Sequence, residues 1–339
     1  MEKGPLLVTG AGGFLGRHVV PALREAGLRP RPMIRPGSPT PPWCRDLEVV
    51  RADLLDRGSL EKACKGAAGV VHMAALLNIP LETPREKERL RRVNLEGTRL
   101  LLEACRKEGV EEFLFFSSVA AMGDPPPGVT ATEDLPENPN REYGRTKLEG
   151  ERLLARARRE WGLRTLVLRP VVVYGEGDKG NVVRMMRALA KRRFFLLSGG
   201  RAKKSLVYAG NLAAALVHLL PLEGKPWEGR TYIAMDERPY SLAELASAMA
   251  RALGVPPPGL SLPAWPLFLA GGLLEALARP FGLRPLFSAH TVGKLTRDLL
   301  YSGERLFLET GFKPPYCLEE AMEKTARWLK EEGILPGIP

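Results

Sequence analysis

Short apolar strands alternate with helical stretches through the first half of the chain, which predicts an α/β fold built on a doubly wound parallel sheet. Three observations carry that prediction. Leu6-Leu7-Val8 runs into a glycine-rich turn, Thr9 to Gly16, and then into a helical stretch that ends near Gly27. Further strand-like runs follow, each separated from the next by a helical segment or loop. The run Phe113-Leu114-Phe115-Phe116 is apolar on both faces, as a strand buried inside such a sheet must be, and it ends in Ser117 and Ser118.

In chain order, Gly10, Gly12, Gly13 and Gly16 surround Phe14 and Leu15. Such glycines let the backbone turn tightly and approach a pyrophosphate, while the following helix offers free N–H groups and the positive end of its dipole. The second strand, Arg31-Pro32-Met33-Ile34, is followed by Arg35. Dinucleotide folds that hold a ribose 2′-hydroxyl place a carboxylate there, whereas an arginine suits a 2′-phosphate. NADP(H) is therefore expected, with NAD as the alternative. Leu47 to Val50 reads as a third strand leading to Asp53, either an adenine contact or a turn residue. Val70 to Ala75 reads as a fourth strand, whose small residues Ala74 and Ala75 let a ribose lie against backbone, and His72 within it reads as structural.

Leu90, Val93, Gly97, Leu100, Leu101 and Ala104 fall at helical spacing and predict a helix over about 85–107, with Asn94 on the same stripe. A Pro-rich loop, 123–140, precedes the helix that carries Tyr143 and runs to about Trp161. Leu166-Val167-Leu168 is a sixth strand, entering Arg169-Pro170-Val171-Val172-Val173-Tyr174-Gly175. Beyond it, Leu206-Val207-Tyr208 and the helix from Asn211 are expected to return to the main sheet. Ser241 with Glu244 three residues on predicts a capping box for a helix to Leu253, and a further capped helix is expected over 318–332. The expected organisation is a cofactor domain over 1–175, rejoined by about 205–233, and a smaller, mostly helical substrate domain over 176–204 and 234–339.

Tyr143 and Lys147 are four apart, so a helix puts them on one face. A free tyrosine titrates near pH ~10, and a neighbouring ammonium favours its phenolate, which tunes it toward general acid–base work. A serine at the carboxyl end of a buried strand lies where open α/β sheets bind ligands. Together Ser118, Tyr143 and Lys147 suit proton delivery to a carbonyl oxygen while hydride moves to or from its carbon.

Composition narrows the rest. The 339 residues, 45% hydrophobic, can bury a large core. No uncharged apolar stretch reaches the ~18 residues of a spanning helix, and strand signals begin almost at the first residue, so a cytoplasmic protein is expected. Cys44, Cys64, Cys105 and Cys317 have no paired spacing, so neither a disulfide framework nor a metal site is expected. The net charge of +11 is dispersed among acids, as along 85–92, which argues against a nucleic-acid partner. Thirty prolines with abundant Arg and Glu fit a thermophile's protein. The run 262–278, with Trp265, Leu267, Phe268, Leu269, Leu273 and Leu274, fits a pocket wall, ordinary core, or a membrane- or dimer-facing surface. Arg201, Lys203 and Lys204 read as a solvated loop or as a diphosphate clamp.

Taken together these motifs resemble the extended short-chain dehydrogenase/reductase family across nearly the whole chain: the Thr9–Gly16 loop, Asp53-Leu54, His72 with Ala74 and Ala75, Ser118, Tyr143 with Lys147, Arg169-Pro170, Tyr174-Gly175 and Asn211-Leu212-Ala213. The resemblance implies a Rossmann domain, a substrate domain and a homodimer through two long helices. It also implies that Tyr143 is the acid/base, that Ser118 bonds the substrate oxygen, and that Lys147 holds the nicotinamide ribose. Asp53 and Leu54 would meet adenine, Pro170 and Val173 the nicotinamide, and Asn94, Ala74, Ala75 and Tyr143 would also belong to the cofactor site. Ser118-Val119-Ala120 lacks the additional acid and base of the family's sugar-nucleotide dehydratases, which argues against elimination. The stretch 169–177 and Leu262-Pro263-Ala264-Trp265 are similar to the 3β-hydroxysteroid dehydrogenase-like branch, as is the ending with Tyr301-Ser302 and Gly311-Phe312-Lys313-Pro314. That branch implies an apolar secondary alcohol and ketone as substrate and product. A nucleotide-sugar 4-epimerase with tightly held NAD, and a non-catalytic cofactor sensor, are the alternatives.

Overall fold

The computed structural model describes residues 4–77, 83–222, 224–278 and 289–335. Its strands are β1 (Leu6–Thr9), β2 (Pro30–Ile34), β3 (Val50–Arg51), β4 (Gly69–His72), β5 (Glu112–Phe116), β6 (Thr130–Ala131), β7 (Arg164–Pro170), β8 (Val172–Tyr174), β9 (Leu196–Leu197), β10 (Lys203–Lys204), β11 (Leu206–Tyr208), β12 (Arg230–Ala234), β13 (Tyr240–Ser241), β14 (Ser261–Leu262) and β15 (Leu300–Tyr301). Seven of them form one parallel sheet in the order β12-β7-β5-β4-β1-β2-β3. The strand order reverses between β1 and β4, and the crevice outside their carboxyl ends is where such sheets take a ligand.

Helices α1 (Phe14–Glu25), α2 (Arg57–Cys64), α3 (Pro84–Arg91), α4 (Gly97–Glu108) and α5 (Glu142–Trp161) belong to this half. They are followed by α6 (Asn181–Ala190), α7 (Ala209–Leu219), α8 (Leu242–Leu253), α9 (Trp265–Ala278), α10 (Ala289–Thr296), α11 (Glu304–Thr310) and α12 (Leu318–Glu331). One face of the sheet packs Val8, Val71, Leu114 and Leu168 with Val19, Val20, Leu212 and Leu216 of α1 and α7. The other face packs Leu7, Val70, Phe113 and Phe115 with Leu60, Leu101 and Leu154 of α2, α4 and α5. A further core joins α6, α8 and α12 through Met186, Met249 and Met322. Burying both faces explains why β5 reads as an unbroken apolar run.

Several expectations are corrected. The strand that rejoins the main sheet is β12, paired with β7; Leu206–Tyr208 instead pairs with Val172–Tyr174, in a separate two-stranded sheet just past the carboxyl end of β7. The apolar run Leu206-Val207-Tyr208 carries the stronger strand signal, yet it is Arg230–Ala234, with Arg and Thr at its start, that pairs with β7. The third strand is Val50–Arg51, later than 47–50. The predicted continuous helix over 85–107 is interrupted by a π turn, Arg92–Glu96. The capping box of α8 is present: Ser241 Oγ accepts from the Glu244 N–H at 3.1 Å and the Glu244 carboxylate accepts from the Ser241 N–H at 2.7 Å.

The Asn211 motif has a structural explanation. Its side chain donates to Asp236 at 2.7 Å and to the Tyr316 carbonyl at 2.9 Å, and accepts from the Tyr316 N–H at 2.9 Å. Asp236, buried, also accepts from the Tyr208 N–H and the Tyr174 hydroxyl, and burial lifts its carboxyl to about 6. One carboxylate thus ties the exit of β8 to the start of α7 and, through Asn211, to the approach to α12.

Candidate active site

The glycine turn sits at the carboxyl end of β1, where α1 begins. Gly10 has φ +72°, and a Cβ there would lie 2.8 Å from the Ala74 nitrogen, so only glycine lets the turn close on the end of β4. Gly12 and Gly13 are exposed, α1 has no side-chain cap, and no acid stands in its first turn. An uncapped helix end with bare glycines is the cradle a pyrophosphate requires, so the residues present fit a dinucleotide. Phe14 and Leu15, half-buried, open the helix. Sequence reasoning missed two props of this turn. The Trp43 indole N–H donates to the Ala11 carbonyl at 2.8 Å, and the Arg17 guanidinium lies over the Trp43 ring. A tryptophan inside a Pro-rich loop is the signal that could have found them.

Arg35 follows β2, is exposed, and forms no ion pair among the described residues. Its neighbour Ile34 packs near Gly12, since a Cβ on that glycine would lie 3.4 Å from Ile34 Cδ1. Arg35 therefore stands beside the glycine turn. Asp53 accepts from the Leu55 N–H at 2.9 Å, forming a turn, and Leu54 is buried where α4 approaches through Gly97. Ala74 and Ala75 are half-buried beyond β4, Pro170 is buried at the end of β7, and Val173 is half-buried on β8.

His72 is structural, and proton accounting fixes its form. The Thr98 hydroxyl donates to the Asn94 carbonyl at 2.7 Å, so the His72 Nε2–H must donate to Thr98 Oγ1 at 2.9 Å. Nδ1 then accepts from the Thr9 hydroxyl at 2.7 Å, and Thr9 Oγ1 in turn accepts from the Ala74 N–H at 3.2 Å. Burial, helped by the Lys147 charge, pushes the imidazole down to about 3, so it stays neutral. This chain fixes the exit of β4 above the glycine turn. Asn94, placed by the family resemblance in the cofactor site, is buried in the π turn. Its amide is engaged with Leu76 N at 2.6 Å, Leu76 O at 3.1 Å and Thr146 Oγ1 at 3.3 Å. It orders the segment after β4 and braces α5 from behind. A single π turn at a functional site is a recurrent device, and here it carries the asparagine that binds the Leu76 backbone.

Ser118 follows β5, half-buried, and caps the short turn Val119–Ala121: its Oγ accepts from the Ala120 N–H at 3.1 Å. Accepting there leaves its hydroxyl proton to donate. Tyr143 reaches the same place because α5 presses on that turn. A Cβ at Gly144 would fall on the Ala120 carbonyl oxygen, far inside van der Waals contact, and 3.2 Å from the Pro139 Cβ. A Gly→Ala change inside a helix ordinarily gains up to about 1 kcal/mol. Gly144→Ala is expected to reverse that sign, losing roughly 1–3 kcal/mol by overpacking as α5 is pushed away. Thermal unfolding and turnover measured together check it, and a variant more stable than the parent would contradict this packing.

Lys147, buried, donates to the Phe116 carbonyl at 2.7 Å, with its ammonium 4.7 Å from the Phe115 ring centroid and 5.9 Å from that of Tyr143. Burial lowers it to about 8, opposed by Glu151. Tyr143 departs from the expected tuning: burial pushes its phenol up to about 12. Desolvating a phenolate outweighs an ammonium that is committed to a backbone carbonyl. The phenol is therefore held in its acid form at neutral pH.

Behind Lys147 lies a network that sequence reasoning did not identify. Glu151, one turn further along α5 and buried, accepts from the Ser117 hydroxyl and from Arg169 at 2.9 and 2.6 Å. Arg169 also pairs with Glu137 at 2.7 Å. The spacing of Lys147 and Glu151, four residues on one helix face, was the available signal. Among the described residues no group of His, Cys, Asp or Glu is arranged to hold a metal ion, and no helix is long and apolar enough to cross a membrane.

Comparison with known proteins bears on this geometry. An uncharacterised protein, y4nG, of Sinorhizobium fredii is 29% identical over 328 residues, covering 96% of this chain and 78% of its own length. The crystal structure of gox2253 is 28% identical with a TM-score of 0.80, covering 97% of this chain and 99% of that one. The Thermus thermophilus UDP-glucose 4-epimerase, solved with NAD, is 25% identical with a TM-score of 0.72, covering 96% and 99%. The model of the NAD dependent epimerase/dehydratase family matches residues 6–233, from β1 into β12. With the glycine cradle at the switch point and the motifs of the extended short-chain dehydrogenase/reductases in order, the chain belongs to the NAD dependent epimerase/dehydratase family and is an NAD(P)-dependent enzyme.

Proposed function

We propose that the protein is an NADP(H)-dependent oxidoreductase that interconverts an apolar secondary alcohol and its ketone, within the 3β-hydroxysteroid dehydrogenase-like branch. The observation that carries this reading is the donor set at the end of β5. A phenol held protonated, pushed up to about 12, adjoins the turn capped by a serine whose hydroxyl proton is free, and Val119 and Ala120 follow with no acid or base. Such a set delivers one proton to one oxygen and has nothing to drive an elimination.

When bound, the cofactor supplies hydride to the carbonyl carbon. Gly12, Gly13 and the start of α1 would hold its pyrophosphate, and Arg35 its 2′-phosphate. In reduction the Ser118 hydroxyl donates a hydrogen bond to the carbonyl oxygen, and Tyr143 gives it a proton as negative charge develops. Lys147, fixed on Phe116, offers its positive charge to the phenolate left behind. In oxidation the same groups act in reverse.

The NADP(H) assignment rests on Arg35, exposed and unpaired beside the glycine turn. A hydrogen bond to a charged group contributes about 1.5–3 kcal/mol, so Arg35→Asp is expected to lower kcat/KM for NADPH roughly 10- to 100-fold while sparing NADH. Initial rates with both cofactors read this directly, and an unchanged ratio would remove the assignment.

The second reading, a nucleotide-sugar 4-epimerase, is supported by the 25% identical Thermus epimerase that was solved with NAD. Two measurements separate them. Protein purified without added nucleotide is denatured and its released cofactor identified by mass spectrometry, and a panel of apolar ketones is then offered with NADPH. An empty or NADP(H)-releasing protein that oxidises NADPH with a ketone is expected. Stoichiometric bound NAD, with no net redox turnover, would overturn the reading.

A further inference from the structure

The chain's most apolar helix is also among its most exposed elements. In α9 the only charged residue is Glu275. Trp265 and Leu269 are each 66% exposed, with Phe268 beside them, and the i, i+3, i+4 spacing puts all three on one face. Leu260, 56% exposed, precedes the helix, and Phe195 and Leu295 are exposed as well. Scattered single apolar residues on a surface need no explanation, but a contiguous patch marks a contact.

A second observation identifies the contact's chemistry. Strand β9 pairs in parallel with β14, the Leu196 N–H donates to the Leu260 carbonyl at 3.0 Å, and the Gly199 N–H to Ser261 Oγ at 2.8 Å. Phe195 and Leu260 therefore enter the pair side by side, and α9 begins three residues after β14 opens on to it. Immediately upstream of Phe194 stand Lys191, Arg192 and Arg193, all exposed, with Arg187 one turn earlier on α6 and exposed Arg201 just past β9. None of these five cations has an ion-pair partner among the described residues, so their charge is not offset locally by acids. Three residues of extended chain span about 10 Å, so the cations border the apolar patch.

We propose that this face, α9 with the β9–β14 pair and the carboxyl end of α6, docks the protein on an anionic lipid bilayer. Apolar side chains that include a tryptophan, rimmed by unpaired cations, are what an interfacial segment needs: burial to acyl depth for the first and anionic headgroups for the second. A second copy of the chain is the poorer occupant, because a two-fold contact would bring the same cluster of cations face to face in a chain of net charge +11. The docked element is linked, through α10, to the segment that follows the Ser118 turn. The α9–α10 pair is fixed at its far end where β15 pairs with β6, where Arg297 pairs with Asp124 at 2.7 Å, and where the Tyr301 hydroxyl donates to the Gly123 carbonyl at 3.1 Å. Gly123 and Asp124 follow the turn capped by Ser118. An apolar substrate dissolved in the bilayer would thus meet the protein on the substrate side. The docking surface itself does not depend on the identity of that substrate.

The test uses the full chain with vesicles of phosphatidylcholine alone and of phosphatidylcholine with phosphatidylglycerol. Co-sedimentation with the anionic vesicles at low salt is expected, with weaker binding at high salt and little to the neutral ones. Trp265 is the exposed tryptophan, the others being buried or half-buried, so a blue shift of emission on binding reports its insertion. Arg192→Glu with Arg193→Glu, both exposed and unpaired, is expected to weaken binding on the order of tenfold or more. Trp265→Ser with Leu269→Asp should abolish it while circular dichroism stays that of the parent. If the apolar variant fails to fold, the arginine variant still decides. Absence of binding to anionic vesicles at low salt would overturn the proposal. So would a stable dimer that Leu269→Asp dissociates in a protein that ignores vesicles.

Discussion

Replacing Tyr143 by phenylalanine is expected to lower kcat on the order of 10²–10⁴-fold, the usual loss when a positioned general acid is removed. Binding of the cofactor should change little, because the glycine cradle and Arg35 lie at β1, α1 and the end of β2, and Lys147 is kept. The fold should survive too, since only a hydroxyl is lost from a half-buried ring. Dissociation constants for NADPH by fluorescence, next to kcat with the best ketone, separate the two effects. Turnover near that of the parent would exclude Tyr143 as the proton donor. The pH profile adds a second check. Lys147, lowered to about 8 by burial, loses its charge as pH rises through that value, and reduction should fall with it. His72, held near 3, should contribute no limb around neutral pH. Stability follows the opposite course. The folded-state value for Lys147 lies below its unfolded value of ~10.4, so burial of its charge costs stability in full below about pH 8. That cost fades as pH rises toward 10.4.

Much of the site is local in sequence, and that part was legible. The glycine turn declares itself because strand, glycines and helix are contiguous from Leu6 to Gly16. Tyr143 and Lys147 declare themselves by helical spacing, and the α8 capping box by Ser241 and Glu244. What stayed hidden depends on residues far apart. Arg92-Val93-Asn94-Leu95-Glu96 has an ordinary helical composition, and nothing local announces the π turn in which Asn94 is bonded to the distant backbone of Leu76. Which of 206–208 and 230–234 joins the main sheet is set by contacts between residues far apart in sequence, Arg230 with Leu166 and Ala234 with Pro170. Spacing misleads about the tuning of Tyr143: it places Lys147 on the same face but reveals neither the burial of the phenol nor the bond of the ammonium to Phe116. The Glu151–Arg169 pair joins α5 to β7, and no periodicity links the two positions.

That pair carries the second large expectation. Arg169 and Glu151 are both buried, and the guanidinium binds the carboxylate through two nitrogens while also reaching Glu137. Removing one partner of such a pair strands a charge in a poorly solvated site and costs roughly 3–5 kcal/mol, far more than breaking a surface ion pair. Arg169→Met, which keeps the apolar bulk, is therefore expected to lower Tm by several degrees or more. The deficit should deepen as pH rises, because a buried carboxylate without a partner is tolerated only when protonated. Thermal unfolding at pH 5 and pH 8 reads both the size and the trend, and a loss under 1 kcal/mol at pH 8 would show that solvent already screens the pair. Glu151→Gln separates stability from catalysis. It keeps a group able to accept from Ser117 and removes the negative charge that opposes the lowering of Lys147. The Lys147 value should then fall below about 8, and the alkaline limb of the reductive rate should move to lower pH. A purely structural role for Glu151 would lower Tm and leave that limb in place. The buried acid behind the lysine thus links the stability of the α5–β7 contact to the pH range in which the tyrosine can work.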